Sequence, residues 1–201
     1  MSNKTELLNF KGLSLVGGHP SIDLLNTVKY RGRSAPQDSF GCINDVICWA
    51  FLAGLVDKPE ADFLHGLAED GQDKANTVYH DICEFRENLR LVMASETFSG
   101  EAVTAVENTI EALRISATIV ANTHRLNRYI PIHNLADLKH RIVHSAAKMM
   151  EIHPTPKIGA CAADDCDWLF IDNSKSKRRR WCDTKTCGNR ARVRQFRAQG
   201  N

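Results

Sequence analysis

Four of the chain's seven cysteines, Cys161, Cys166, Cys182 and Cys187, form two Cys-x4-Cys pairs separated by fifteen residues. No other feature constrains the fold as much. Each short loop can turn two sulfurs toward one point, and zinc takes four soft thiolates at about 2.3 Å. The opening MSNKTELLNF has one lysine and no apolar signal-peptide stretch, so the thiols are expected to stay reduced. The expected reading is one tetrahedral, structural zinc site. An iron–sulfur cluster and a pair of disulfides stand as alternatives. The segment has too few apolar residues to fold unaided, so the ion would supply much of its folding free energy. Cys42, Cys48 and Cys83 lie singly in helical patterns and read as small buried hydrophobes.

Charge divides the chain. Residues 1–150 hold 15 Lys/Arg against 18 Asp/Glu, whereas 151–201 hold 11 against 6. From Lys175 onward ten basic side chains meet one acid, Asp183. A positive tail on a mildly acidic body implies an anionic partner for the tail alone. Apolar residues at 43% suffice for one helical domain and a small appendage. No apolar run approaches the roughly 20 residues that span a bilayer, so a cytoplasmic protein with no membrane contact is expected.

Residues 1–152 read as helical. Pro20 suits the first turn of a helix over SIDLLNTV. Ser39 can cap a helix from Cys42 to Leu52, with Gly54 at its C′ position. Pro59 begins another, with Phe63, Leu64 and Leu67 on one face and Gly71 after it. Val78, Ile82, Phe85, Leu89 and Val92 make an amphipathic stripe, as do Val103, Val106, Ile110, Leu113, Ala117 and Val120. Asn134 caps a last run through Leu135, Leu138, Ile142, Ala146 and Met149. Residues 10–17 alternate weakly and read as extended, and 123–133 read as a loop or short strand. The expectation is a mainly α, orthogonal helical bundle.

His153-Pro154-Thr155-Pro156 marks a boundary to a second unit over residues 153–201. There a first knuckle, a strand at Trp168–Asp172, and a helix from the second cysteine pair predict a treble-clef-like finger of β-hairpin plus helix. In this unit Cys161 and Cys166, Phe170-x-Asp172, Ser174, Arg179-Arg180-Trp181-Cys182 and Cys187-Gly188-Asn189-Arg190 resemble the CGNR zinc finger. GGHPSIDLLNTVKYRG is similar to the start of the ABATE domain, its usual helical partner. Together the resemblances cover nearly the whole chain. They imply a bacterial, stress-induced regulator of transcription, with RNA binding as the family's other description. One departure is Asp183-Thr184, where the family commonly has Ser-Met.

Lys175, Lys177, Arg178, Arg179 and Arg180 precede Trp181, and Arg190, Arg194 and Arg197 share one helix face. A zinc-locked finger would hold them as a nucleic-acid surface, gripping phosphates with release of counterions. The resemblance favours DNA over RNA. Trp181, beside Cys182, reads as packing around the metal. A second group is His19, Asp23 and Asn26, with Arg86 placed to meet Asp23. Helix capping explains most of it; the sharper expectation is a pocket for a small effector. Catalysis is not expected, because no nucleophile motif, phosphate loop or open metal position accompanies these residues. An acidic protein surface is a third class of partner for the finger. No heptad seam indicates an oligomeric state.

Overall fold

The computed structural model describes residues 13–31, 34–94, 99–113, 118–122, 125–152 and 157–199. The expected boundary at 153–156 and residues 10–12 of the weakly alternating stretch lie outside them.

The short helix α1 (Pro20–Leu25) sits at the centre, with Ser21 to Leu25 all buried. His19 caps it, Nδ1 accepting the Ser21 N–H at 3.2 Å, and Pro20 fills the first turn. The strands β1 (Val28–Lys29) and β2 (Gln37–Asp38) pair antiparallel behind it. Helix α2 (Ile43–Leu52) starts at Cys42, which makes no side-chain cap bond. Ser39, expected as its cap, instead donates its N–H to the Thr27 carbonyl, and Asp45 accepts the Gly41 N–H at 2.6 Å. The end of α2 follows expectation. Gly54 takes a φ of 74°, and Leu55 and Gly54 donate to the carbonyls of Ala50 and Phe51, which is the Schellman arrangement.

Helix α3 (Lys58–Asp70) opens with a capping box between Asp57 and Glu60. Its buried face is Ala61, Leu64 and Ala68. Phe63, expected in the core, is 48% exposed, because a face centred on Leu64 at helical spacing turns position 63 aside. The long helix α4 (Gln72–Ala94) runs along the bundle with Val78, Ile82, Phe85 and Leu89 inward. Helix α5 (Gly100–Glu111) is capped by Ser99 and stops well short of the expected stripe to Val120. Thr118–Asn122 is instead a strand, β3, paired with β4 (Arg125–Tyr129) in the register Thr118↔Tyr129. The β-branched run Thr118-Ile119-Val120 prefers a pleated partner to a helix. Helix α6 (Leu135–Met150) begins with the expected Asn134 cap, completed as a box by Asp137. It buries Leu138, Ile142, Val143, Ala146 and Met149.

The remaining chain is a hairpin, β5 (Ile158–Ala160) with β6 (Leu169–Ile171), then a π-helical turn over Thr184–Gly188 and the helix α7 (Asn189–Gln199). The first knuckle is the connection within the hairpin rather than a unit preceding it. Leu169 and Ile171 join the core of the helical body, while Phe170 faces a smaller cluster with Cys161, Ala163, Cys182 and Cys187. Alternation along one strand thus serves two interiors. The protein is a mainly α bundle with a treble-clef-like finger. Among the described residues no helix is long and apolar enough to cross a membrane.

Candidate functional site

The sulfurs of Cys161, Cys166, Cys182 and Cys187 all lie within 4.8 Å of one another. Four sulfurs about 2.3 Å from a central ion form a tetrahedron with edges of about 3.8 Å. Here Cys166 and Cys182 are 3.7 Å apart, and Cys182 and Cys187 3.5 Å. All four are free thiols, at distances far beyond a disulfide bond, and the space among them suits one ion rather than a cluster of several. The protonation energetics agree. The hydrogen bond with Cys182 pulls the Cys166 thiol down to about 6, while the same contact pushes Cys182 far up. Burial pushes Cys187 up to about 11. Burial and mutual contact thus disfavour gathering several thiolates here, and a bound divalent cation offsets that repulsion. The donor set holds one structural zinc, with no open position for water.

The surrounding chain is shaped to hold these sulfurs. Asp172 organises the turn after β6. Its carboxylate accepts the Ser174 N–H and hydroxyl and the Arg179 N–H, bonds that hold it below the usual carboxylate range. Trp181 packs over Gly188, where an added Cβ would meet the indole at 3.0 Å. That explains the glycine after the fourth cysteine. Asp183, the departure from the family pattern, caps the π-helical turn by accepting the N–H groups of Lys185 and Thr186. Arg190 donates to the Cys187 sulfur at 3.2 Å, a contact that would offset negative charge on the thiolates.

The finger is grafted onto residues 16–31. Asn26 makes a two-point bond to β6, donating Nδ2–H to the Leu169 carbonyl at 2.9 Å and accepting the Leu169 N–H at 2.8 Å. Ile171 donates to the Gly17 carbonyl at 2.8 Å. Asp167 accepts the N–H groups of Tyr30 and Arg31. The bonds to Leu169 and Ile171 satisfy the side of β6 turned away from β5, which would otherwise be an open sheet edge.

The eight expected nucleic-acid residues divide by environment. Arg179 is part of the fold: it stacks on Phe170 at 4.3 Å and donates to the carbonyls of Trp181, Ile171, Val16 and Cys182. Lys177 bonds the Asp172 carbonyl. Lys175, Arg178, Arg180 and Arg197 are exposed, Arg180 lying 5.2 Å over the Trp181 ring. Arg190 and Arg194 both reach Asp165, at 3.3 and 2.7 Å. Sequence reasoning passed over Arg192, Val193 and Phe196, which the helix leaves exposed. The available signal was an apolar pair three apart in an otherwise polar helix.

Among the described residues, the four expected effector residues each have a partner within the fold. Arg86 pairs with Asp38 and Thr27, not with Asp23, and it also bonds Glu87. Asp23 accepts the Gly17 N–H at 2.7 Å, and its burial raises its pKa to about 7. His19 caps α1 and Asn26 holds β6. A cavity of 610 Å³ lies elsewhere, lined by Leu67, Lys74, Thr77, Val78, Asn134 and Leu135 among others.

Comparison with protein families agrees with both halves of this description. Residues 157–199 match the model of the CGNR zinc finger. Residues 18–151 match the ABATE model, described as "Putative stress-induced transcription regulator". No curated protein matches the chain.

Proposed function

The chain belongs to the ABATE family and carries a CGNR zinc finger; from that premise we propose that it is a zinc-dependent nucleic-acid-binding protein, a DNA-binding regulator of transcription. The observation that carries this reading is the pairing of a metal-gathered finger with helix α7, which buries none of its residues yet bears four arginines and no acid. A protein that only needed the finger for stability would have no use for such a helix.

In this reading Cys161, Cys166, Cys182 and Cys187 hold the metal and Arg179 fixes the turn between the cysteine pairs. Lys175, Lys177, Arg178, Arg180 and Arg197 contact phosphates. Arg190 and Arg194 join them by leaving Asp165. The helical body, residues 1–152, is the sensing half of a cytoplasmic protein and the finger, 153–201, the binding half. The cavity beside Lys74 and Leu135 offers room for a small effector, in place of the residues around His19. Neither family description names an enzymatic activity.

The test is selection of bound sequences from random DNA and RNA pools, with zinc present and after chelation. Enrichment of duplex DNA that chelation abolishes is expected. Replacing Arg178 and Arg180 by Ala should reduce the slope of log affinity against log salt by about 1.8 on B-form DNA. Enrichment from the RNA pool alone, or binding indifferent to chelation, overturns the reading.

A further inference from the structure

Helix α7 has an unusual surface. Phe196 is 79% exposed and Val193 41%, on a helix whose charged side chains are Arg190, Arg192, Arg194 and Arg197. Residues three apart share a face, so Val193 and Phe196 form an apolar ridge among cations. Its direction follows from helix geometry. Arg190 and Arg194 point to Asp165 on the first knuckle. At about 100° per residue, Phe196 lies about 140° round the helix from their mean direction, about 60° from Val193 and about 40° from Arg192. Phe196 therefore faces away from the finger, with Val193 about 80° to one side of the knuckle-facing direction. Arg192 flanks the ridge, donating to the Gly188 and Thr184 carbonyls of the preceding π-helical turn at 3.2 and 3.4 Å.

An occupant of this face must be anionic at its margins and apolar at its centre. The major groove of duplex DNA has that layout: two phosphate walls, and a floor where thymine presents a methyl group and guanine its acceptors. It is about 12 Å wide and admits one α-helix, and eleven residues give about 16 Å of helix to lie in it. The A-form groove of double-stranded RNA is too deep and narrow for such side chains. We propose that α7 is a reading helix that enters the major groove of duplex DNA, with Phe196 and Val193 packed on thymine methyl groups and Arg192 at a neighbouring base edge. The inference rests on the nucleic-acid reading above and narrows it to one groove and one kind of contact. It also separates the labour of the arginines. Arg178, Arg180 and Arg197 grip the backbone and carry no sequence preference, whereas the ridge supplies a preference for A·T pairs.

The experiment measures fluorescence anisotropy of the zinc-loaded full chain with two A·T-rich duplexes of about 20 base pairs, two helical turns. They share one sequence, but one carries deoxyuridine for every thymidine, which removes methyl groups and alters no charge. The wild type is expected to bind the thymidine duplex more tightly, by about fourfold for each methyl group buried. Phe196→Ala should weaken binding to the thymidine duplex and bring the ratio between the duplexes toward one. Its exposure means that the substitution removes no core packing. Lys175→Ala should weaken both duplexes alike. Equal affinity of the wild type for the two duplexes, an undiminished ratio in Phe196→Ala, or a Phe196-dependent dimer in sedimentation overturns the reading-helix assignment alone. Failure to bind either duplex overturns the nucleic-acid reading itself.

Discussion

Truncating Asn26 to alanine removes a two-point bond between the helical body and the finger. Asn26 is 3% exposed and Leu169 4%, so water has little access to the groups left behind. Those groups are the Leu169 N–H and carbonyl, bonded at 2.8 and 2.9 Å in the intact protein. A buried main-chain group stripped of its partner costs about 1–3 kcal/mol, so the pair should cost about 2–6 kcal/mol. The remaining attachments, from Gly17, from the N–H groups of Tyr30 and Arg31, and from Arg179 to Val16, should keep the finger in place. The loss should then appear as stability rather than as detachment. Urea unfolding of the zinc-loaded protein, followed by helical circular dichroism and by release of zinc to a chromogenic chelator, measures it. Both curves should shift to lower urea. Asn26→Asp sharpens the test: it keeps an acceptor for the Leu169 N–H but sets a carboxylate against the Leu169 carbonyl, and should lose at least as much. Stability of either variant within about 0.5 kcal/mol of wild type, the range of ordinary surface changes, would refute the reasoning.

Three further outcomes are expected. Cys182→Ser should lose stoichiometric zinc by elemental analysis and unfold the finger while most helical signal persists, though the body should melt earlier because Leu169 and Ile171 belong to its core. Asp165→Asn should raise affinity for mixed-sequence DNA by about two- to tenfold, as two arginines are released from exposed pairs. Asp164→Asn, equal in charge but paired with Arg194 at a longer 3.8 Å, should do much less. The pKa of Asp23, raised to about 7 from 3.8, makes the folded state the better proton binder between those values. Its contribution to stability is therefore full below about pH 4 and lost as pH rises through 7. The difference in unfolding free energy between wild type and Asp23→Asn should follow that course, and a flat difference contradicts it.

Local chemistry was the legible part of this sequence. The zinc site rests on two short loops whose spacing states the geometry, and the caps at Asn134 and Gly54 concern residues a few positions apart. The overextended helix after Leu113 shows where local patterning misleads, because the helical stripe ran on into the β-branched run Thr118-Ile119-Val120, which the partner Arg125–Tyr129 holds as a strand. Phe63 failed for a related reason: the flanking Ala61 and Ala68 are small, yet they mark the inward face. Long-range roles were invisible. Nothing near Asn26 announces a strand 143 residues away. Arg179 looks like its neighbours Arg178 and Arg180 until four carbonyls and a phenyl ring surround it. Arg86 was expected to meet Asp23, but its carboxylate partner, Asp38, comes from β2, a strand too short to register in the sequence.

Asn26 grips Leu169 by its main chain, and Gly17 does the same to Ile171. Such a joint is indifferent to which side chains the strand carries toward its own metal cluster. Related chains could thus recolour the far surface of the appendage, exchange its basic residues or retune what it touches, and still seat it on the same ledge at the same angle. Variation and mounting are decoupled, which suits a part whose target must be free to diverge while its carrier stays the same.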